Sequence, residues 1–381
     1  MGGFFLPMKT GTIYIVCAFS CLVFTGCINS GVQKAVTNKA VKHAQDAKVN
    51  LPADTIISIV AVGDIMLGTA YPDSSFLPPH SGINSFRSAS ENLRSADITF
   101  GNLEGVLLNT GAPVARKLKF RSKPYLFKMP ESYGGILKKA GFNILSLANN
   151  HSNDFGVKGR SNTMQLLDSL GINYAGLKTY PAKIFVNKGI KYGFCAFSPN
   201  SQTVSLLDLK GAASIVAALK AQCDVVVVSF HGGGEGIGFE HVPLADESFN
   251  GERRGNVKLF SHTVVDAGAD VVLGNGPHVS RGMELYKNRL IAYSLGNFCT
   301  YRSVSVAGVC GLAPMLKMKI NKNGQFLSGQ IISYKQSHDN GLVLDTLNKA
   351  ALRIKELTET DLENPGLSIS PLGAITAVNV N

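Results

Sequence analysis

Tryptophan is absent from this 381-residue chain, which argues against a sugar-stacking platform and against a membrane aromatic belt. The seven cysteines include no C-x-x-C pair, so a zinc knuckle is disfavoured. Acidic residues are scarce: 26 Asp+Glu against 37 Lys+Arg leave a formal charge of +11. That excess favours anionic partners and says nothing about fold. No internal repeat and no nucleic-acid-binding motif occurs, so nucleic acid is not an expected partner. At 45% apolar and 17% charged the composition is globular. The length suits one large α/β domain or two average ones.

Long apolar runs are also missing, with one exception. Residues 10–26 carry no charge and follow Lys9, the pattern of a secretory signal. The run ends Phe24-Thr25-Gly26-Cys27, which resembles a bacterial lipobox and implies acylation of Cys27. Residues 1–26 are therefore expected to be a lipoprotein signal peptide and residues 27–55 a polar tether. This places the protein in the cell envelope, on the periplasmic or outer-surface side, held to the membrane by its lipid. Of the later cysteines, Cys195 and Cys223 adjoin apolar runs and read as buried thiols. Cys299 and Cys310 are close enough in sequence to pair in an oxidising compartment.

Six strand-like runs recur, at 56–62, 96–100, 143–147, 224–230, 270–273 and 290–295. Helix-like segments fall at 89–95, 130–140, 157–170, 210–221, 256–267 and 343–357. Such alternation predicts an α/β architecture with buried strands. The strand ends carry unusual chemistry: Gly63-Asp64-Ile65-Met66, Asn102-Leu103-Glu104-Gly105, Asn149-Asn150-His151, His231-Gly232-Gly233-Gly234-Glu235 and Pro277-His278. In α/β sheets, sites form where the strands' carboxyl ends meet loops.

These motifs, with Asp154 and Gly156, Asp266-Ala267-Gly268-Ala269-Asp270 and Tyr293-Ser294-Leu295-Gly296-Asn297-Phe298, resemble the CapA family of capsule and poly-γ-glutamate synthesis proteins. The resemblance runs from about residue 56 to 360. It implies a single-domain metallo-dependent phosphatase-like αββα sandwich over 56–360, followed by a C-terminal tail, 361–381.

Asp64 and Glu104 offer carboxylate oxygens, Asn150 a carbonyl, and His231 and His278 imidazoles. A mixed oxygen and nitrogen set suits Mn²⁺, Zn²⁺ or Fe²⁺ better than Ca²⁺. The resemblance implies that Asp64 is a terminal ligand, Glu104 a bridging one, and His151 the group assisting the departing oxygen. Two departures stand out. Phosphoesterases usually have histidine at the position of Met66, and many CapA proteins carry one at Asn275 or Gly276. A single metal, a weak site and an empty pocket all remain open.

Arg281, close after Pro277-His278, is the candidate anion clamp. Asn102, Glu235, Arg253 and Arg254 are further candidate substrate contacts. Lys117, Lys119, Arg121 and Lys123 would share one face of a strand, as an anionic track or as a solvated face. Two function classes stand. One is a metal-assisted hydrolase or transferase acting on an anionic envelope polymer or its phosphorylated precursor. The other is a non-catalytic accessory that holds the polymer beside synthase or export subunits. Mass spectrometry of the mature protein should find a diacylated Cys27 as its first residue, since stable anchoring takes two chains. An unmodified amino terminus further downstream would overturn the lipobox.

Overall fold

In the computed structural model, which describes residues 55–119, 125–338 and 340–378, two sheets face each other with helices on their outer sides. The chain lays down β1 (Ile56–Met66), α1 (Ser90–Leu93), β2 (Ile98–Leu103), β3 (Val106–Leu107), α2 (Ala115–Lys119), β4 (Lys128–Met129), α3 (Tyr133–Ala140), β5 (Ile144–Ser146), α4 (Gly156–Ser169) and β6 (Asn173–Ala175). Next come β7 (Ala182–Asn187), β8 (Ile190–Phe197), α5 (Leu209–Lys220), β9 (Val225–His231), β10 (Glu247–Phe249), β11 (Glu252–Gly255), α6 (Val257–Asp266), β12 (Val271–Asn275), β13 (Met283–Tyr286) and β14 (Arg289–Ala292). The last series is β15 (Asn297–Thr300), β16 (Leu312–Asn321), β17 (Phe326–Ser337), β18 (Gly341–Leu344), α7 (Lys349–Asp361), β19 (Leu367–Ile369) and β20 (Ala374–Ala377).

The first sheet has the order β19-β20-β17-β16-β1-β2-β5-β6, with β15 also on β1 and β18 on β17. The second runs β13-β14-β12-β9-β8-β7. β1, β2, β5 and β6 are parallel, as are β8, β9, β12 and β14.

Period-two geometry explains why these strands read as unbroken apolar runs. In β1, Ile57, Ile59 and Ala61 enter the core between the sheets. Val60 and Val62 point the other way, to Leu93, Leu137 and Leu167 on the outer helices. In β9, Val225 and Val227 join the inter-sheet core, while Val226 and Val228 meet Val216, Phe260 and Val264 of α5 and α6. With two apolar faces each, the strands need a helix layer on both outsides. The expected αββα sandwich is the architecture found.

Some expectations give way. The strand sought over 117–123 begins instead as helix α2, where residues two apart do not share a face. Residues 120–124 lie outside the described residues, as do the signal peptide, Cys27 and the tether as far as residue 54. Cys299 and Cys310 are both free and buried, like Cys195 and Cys223; the Cys299 thiol lies 3.0 Å from the carbonyl of Ser85. Strands β19 and β20, short strands of the C-terminal stretch, extend the first sheet beyond β17. Among the described residues no helix is long and apolar enough to cross a membrane.

One crossing ties the sheets together. After β14 the chain passes through Tyr293–Gly296 to enter β15 beside β1. Asp64 N donates to Gly296 O at 2.8 Å, and Leu295 N to Gly274 O at 3.0 Å. A Cβ on Gly63 would lie 1.9 Å from Gly296 O, and one on Gly274 would lie 2.3 Å from Tyr293 O. Both obstacles are backbone, so no rotamer change relieves them. Gly63→Ala should therefore cost about 3 kcal/mol, the upper end for an overpacked core. Urea denaturation would read this as a lower midpoint; an unchanged midpoint would show that the crossing is not tight.

Candidate functional site

The crossing brings the carboxyl ends of β1, β2, β9 and β12 to one place. Asp64 lies near the end of β1, level with Asn102 of β2 and Asn297 of β15. Glu104 follows β2, His231 ends β9, and His278 follows β12 with its backbone at a positive φ of 58°. Ligating atoms of Asp64, Glu104 and His278 all lie within 4.8 Å of one another. His278 Nε2 is 3.5 Å from Glu104 Oε1, and its Nδ1 is 3.1 Å from Asp64 Oδ2. That Nδ1 bonds to Asn297 Oδ1 at 2.9 Å. His231 Nδ1 is 3.9 Å from Asp64 Oδ1.

A relay of amides fixes the first carboxylate. Asn149 Nδ2 donates to Asn102 Oδ1 at 3.2 Å and to Leu103 O at 2.9 Å. Asn102 Nδ2 donates to Asp64 Oδ1 at 2.7 Å. Asn102 is thus a positioning group sealed from solvent, not the substrate contact expected.

Five atoms here are buried and lack a hydrogen-bond partner: Asp64 Oδ2, both oxygens of Glu104, His231 Nε2 and Asn150 Oδ1. Leaving carboxylates so placed costs several kcal/mol per ion unless a cation or donor meets them. Burial lifts the Glu104 carboxyl well above the ordinary range; His278 opposes this, and Asp64, Glu235 and Asp154 add to it. Burial also works against an ionised Asp64, but His278, His231 and Asn102 outweigh it and hold that carboxyl low. For His278, burial disfavours charge, yet Glu104 and Asp64 drive its pKa well above the usual value. Burial pushes His231 down to about 4, leaving a neutral ring able to ligate. The donor set and its unpartnered atoms fit a divalent cation. Asp64, Glu104 and His278 form a candidate divalent-metal triad, and oxygen and imidazole donors suit Zn²⁺, Mn²⁺ or Fe²⁺.

The triad opens into a cavity of about 1030 Å³ whose walls include Asn150, His151, Glu235, Arg254 and His278. His151 stacks on Phe127 with ring centres 3.8 Å apart. Its Nδ1 meets Asp154 Oδ2 at 2.7 Å, and its Nε2 lies 3.9 Å from Glu104. Lys117 Nζ reaches Asp154 Oδ1 at 2.9 Å and Asn150 O at 2.7 Å. Burial lowers the His151 pKa, with Asp154 opposing.

Arg281 is not a rim clamp. It is fully buried, with Nη1 and Nη2 on the two oxygens of Glu247 at 2.8 and 2.6 Å and Nε on Phe239 O at 2.8 Å. It anchors the β10–β11 hairpin beside the cavity. Arg253 is exposed and paired with Asp246; it is not among the residues of the cavity wall. Met66 is buried against Phe127 and Val304, an apolar position. Gly276 has φ +116°, and a Cβ there would lie 2.8 Å from Gly232 N, so histidine would be strained. Sequence reasoning gave no role to Asn149, Asp154, Glu247 or Asn297. Asp154, three residues after His151, carried the one usable signal.

Mn²⁺ or Zn²⁺ at 100 times its Kd should stabilise the protein by about 2.7 kcal/mol. Glu104→Gln should abolish that gain in thermal unfolding. The raised carboxyl pKa gives the metal-free fold stability that is present below the unfolded pKa and lost as pH rises through the folded one. In EDTA, therefore, Glu104→Gln should melt no lower than wild type at neutral pH. A clearly lower melt would show that Glu104 stabilises the fold without metal.

Residues 58–302 match the family described as bacterial capsule synthesis protein PGA_cap. The chain is 27% identical over 286 residues to the capsule biosynthesis protein CapA of Bacillus anthracis, covering 70% of this chain and 63% of that one. It is 28% identical over 275 residues to the PGA biosynthesis protein CapA of Bacillus subtilis (strain 168), covering 67% and 66%. The chain thus spans a little under two thirds of the length of these relatives. Among solved structures, the 5'-nucleotidase precursor from Thermus thermophilus aligns with a TM-score of 0.41 at 13% identity, covering 79% of this chain and 59% of that one. That likeness is too small to bear on function. The matched stretch takes in more than half of the sequence and every residue of the triad, and the chain belongs to the PGA_cap family of bacterial capsule synthesis proteins.

Proposed function

We propose that this protein is a lipid-anchored cell-envelope component of capsule or poly-γ-glutamate type polymer synthesis, and that its cavity acts on an anionic polymer or a phosphorylated precursor by metal-assisted hydrolysis or transfer. The observation that carries this reading is the set of buried carboxylate oxygens of Asp64 and Glu104 that lack a hydrogen bond, beside His278, which lines a large cavity. The curated relatives are named for capsule and PGA biosynthesis, which supports the polymer class.

Asp64, Glu104 and His278 would hold the metal, with His231 beside Asp64 and Asn150 on the cavity wall as further donors. When bound, a divalent metal polarises a phosphoryl or carbonyl oxygen and lowers the pKa of water. This chain's residues do the remainder. Asn149 and Asn102 orient the Asp64 carboxylate. Asp154 holds the His151 ring through Nδ1 and leaves Nε2 facing Glu104 and the cavity, where the ring can exchange a proton with a bound oxygen. Phe127 fixes the ring plane, and Lys117 completes the charge balance around Asp154.

A second reading has its own support. Met66 and Gly276 supply no ligand, so the donor set is smaller than that of a full two-metal site, as a polymer-holding accessory would tolerate. The two readings separate in a turnover assay of the metal-loaded protein on phosphate mono- and diesters and on anionic envelope polymer. The enzyme reading expects metal-dependent product release that falls about a hundredfold or more in Asp64→Asn, whose ligand set is broken. Polymer binding without turnover, insensitive to Asp64→Asn, would select the accessory.

A further inference from the structure

The β10–β11 hairpin turns at Asn250-Gly251, with φ of 50° and 76°, a two-residue turn that suits the twist of its strands. Glu247 at its base is gripped by Arg281 and also accepts from Gly234 N at 3.0 Å. One buried ion pair thus fixes both the hairpin and the glycine-rich loop after β9. On that support two side chains meet in the cavity wall. Arg254 from β11 is only 4% exposed, yet its Nε and Nη1 make no hydrogen bond. Its guanidinium lies 5.5 Å from the Phe249 ring centre. Glu235 Oε1 stands 2.8 Å from Arg254 Nη1, without hydrogen-bond geometry, and Glu252 is 3.6 Å from Nη2. Glu235 sits in a run of glycines: Gly236 has φ +96°, and nothing lies within 4 Å of where its Cβ would be.

A guanidinium with donors to spare, nearly dry and built into a cavity wall, is a costly arrangement without an oxyanion to fill it. The Glu235 carboxylate neutralises it but does not satisfy it. We propose that Arg254 is the oxyanion-recognition residue of this cavity, taking a carboxylate or phosphate of the ligand bidentately, and that Glu235 is an internal placeholder which the ligand's anion displaces. This deepens the reading of an anionic substrate and rests on it for the ligand's identity. It does not depend on metal or on turnover. Arg254 would select ligands that carry a negative group next to the metal triad, and Glu235 would set the affinity by competing for the same donors.

The test uses the full chain, detergent-solubilised and kept in EDTA so that the triad cannot bind anions through a metal. Inorganic phosphate and glutarate are titrated calorimetrically. Glu235→Gln removes the competing charge and should tighten at least one of the two by about tenfold, the worth of one charge-assisted hydrogen bond. Arg254→Gln should abolish the binding, and Arg254→Lys should restore only part of it, because an ammonium lacks the fork. The anion that tightens more identifies the ligand's charged group as phosphate or carboxylate. Tightening in Glu235→Gln cannot arise from misfolding, which guards against a damaged Arg254 variant. Unchanged affinity for both anions in a Glu235→Gln protein of normal melting temperature would overturn the proposal, as would wild-type binding in Arg254→Gln. If turnover on every substrate fails while these shifts appear, the enzyme reading falls and the anion subsite stands.

Discussion

The structure turns on a backbone crossing that only glycine permits. The segment from Tyr293 to Gly296 leaves the second sheet and enters the first between Gly63 and Gly274, close enough that a single added carbon on either would overlap a carbonyl oxygen. Two backbone hydrogen bonds, to Asp64 and to Gly274, hold it there. This stitch keeps the ends of β1 and β12 adjacent, and those ends carry Asp64 and lead to His278. It also delivers Asn297, which bonds to Nδ1 of the His278 ring. Packing and chemistry are therefore the same constraint seen from two sides: loosening the crossing would separate the sheets and the ligands together.

Around that stitch, the site follows a rule of unequal satisfaction. Asp64 receives an amide on one oxygen through the Asn149–Asn102 relay, and its other oxygen has the His278 ring 3.1 Å away but no hydrogen bond. Glu104 receives nothing on either. A fold seeking stability alone would have capped both, since each bare buried oxygen is a standing cost. The fully satisfied groups are the ones that orient, namely Asn102, Asn149 and Glu247. The unsatisfied ones cluster around His278, which lines the cavity. Where the chain forgoes a hydrogen bond is thus a better guide to its chemistry than where it makes one.

Much of this was legible in the sequence, for a physical reason. Strands buried on both faces must be apolar throughout, so β1, β9 and β12 announce themselves, and the ligand residues are read as whatever follows each run. Helices α3 to α6 fall within a few residues of their expected bounds. The β7–β8 hairpin is absent from the strand-like runs: β7 alternates as an edge strand, and β8 is broken by Lys191 and Gly193. The partner of an arginine is harder still to read. Arg281 and Arg254 look alike in sequence, and only the tertiary placement of Glu247, 34 residues before Arg281, buries the first in the support and leaves the second for the cavity. The four alternating cations from Lys117 to Lys123 mislead at their start, where residues 117–119 are helical, because charge alternation over so short a stretch does not separate a strand from a short helix.

The charge of the whole chain is also a poor guide to the charge of the site. A formal +11 invites an anionic ligand, but the cavity wall holds Lys117 and Arg254, each beside an acid, Asp154 and Glu235, and His278, whose charge is favoured by Asp64 and Glu104 themselves. Glu252 lies near the second, and the triad adds Asp64 and Glu104. Among the described residues the cavity is thus poor in net positive charge, whatever the surface carries. An anionic polymer steered to the surface by long-range attraction would meet carboxylates at the reacting end. A divalent cation on the triad reverses that local field, so it and the ligand's anion should favour each other's binding, and the coupling is reciprocal. The carboxylates that weaken an anion's binding in the metal-free cavity are the ones that would hold the cation, so a bound cation should tighten the anion's binding rather than be required for it.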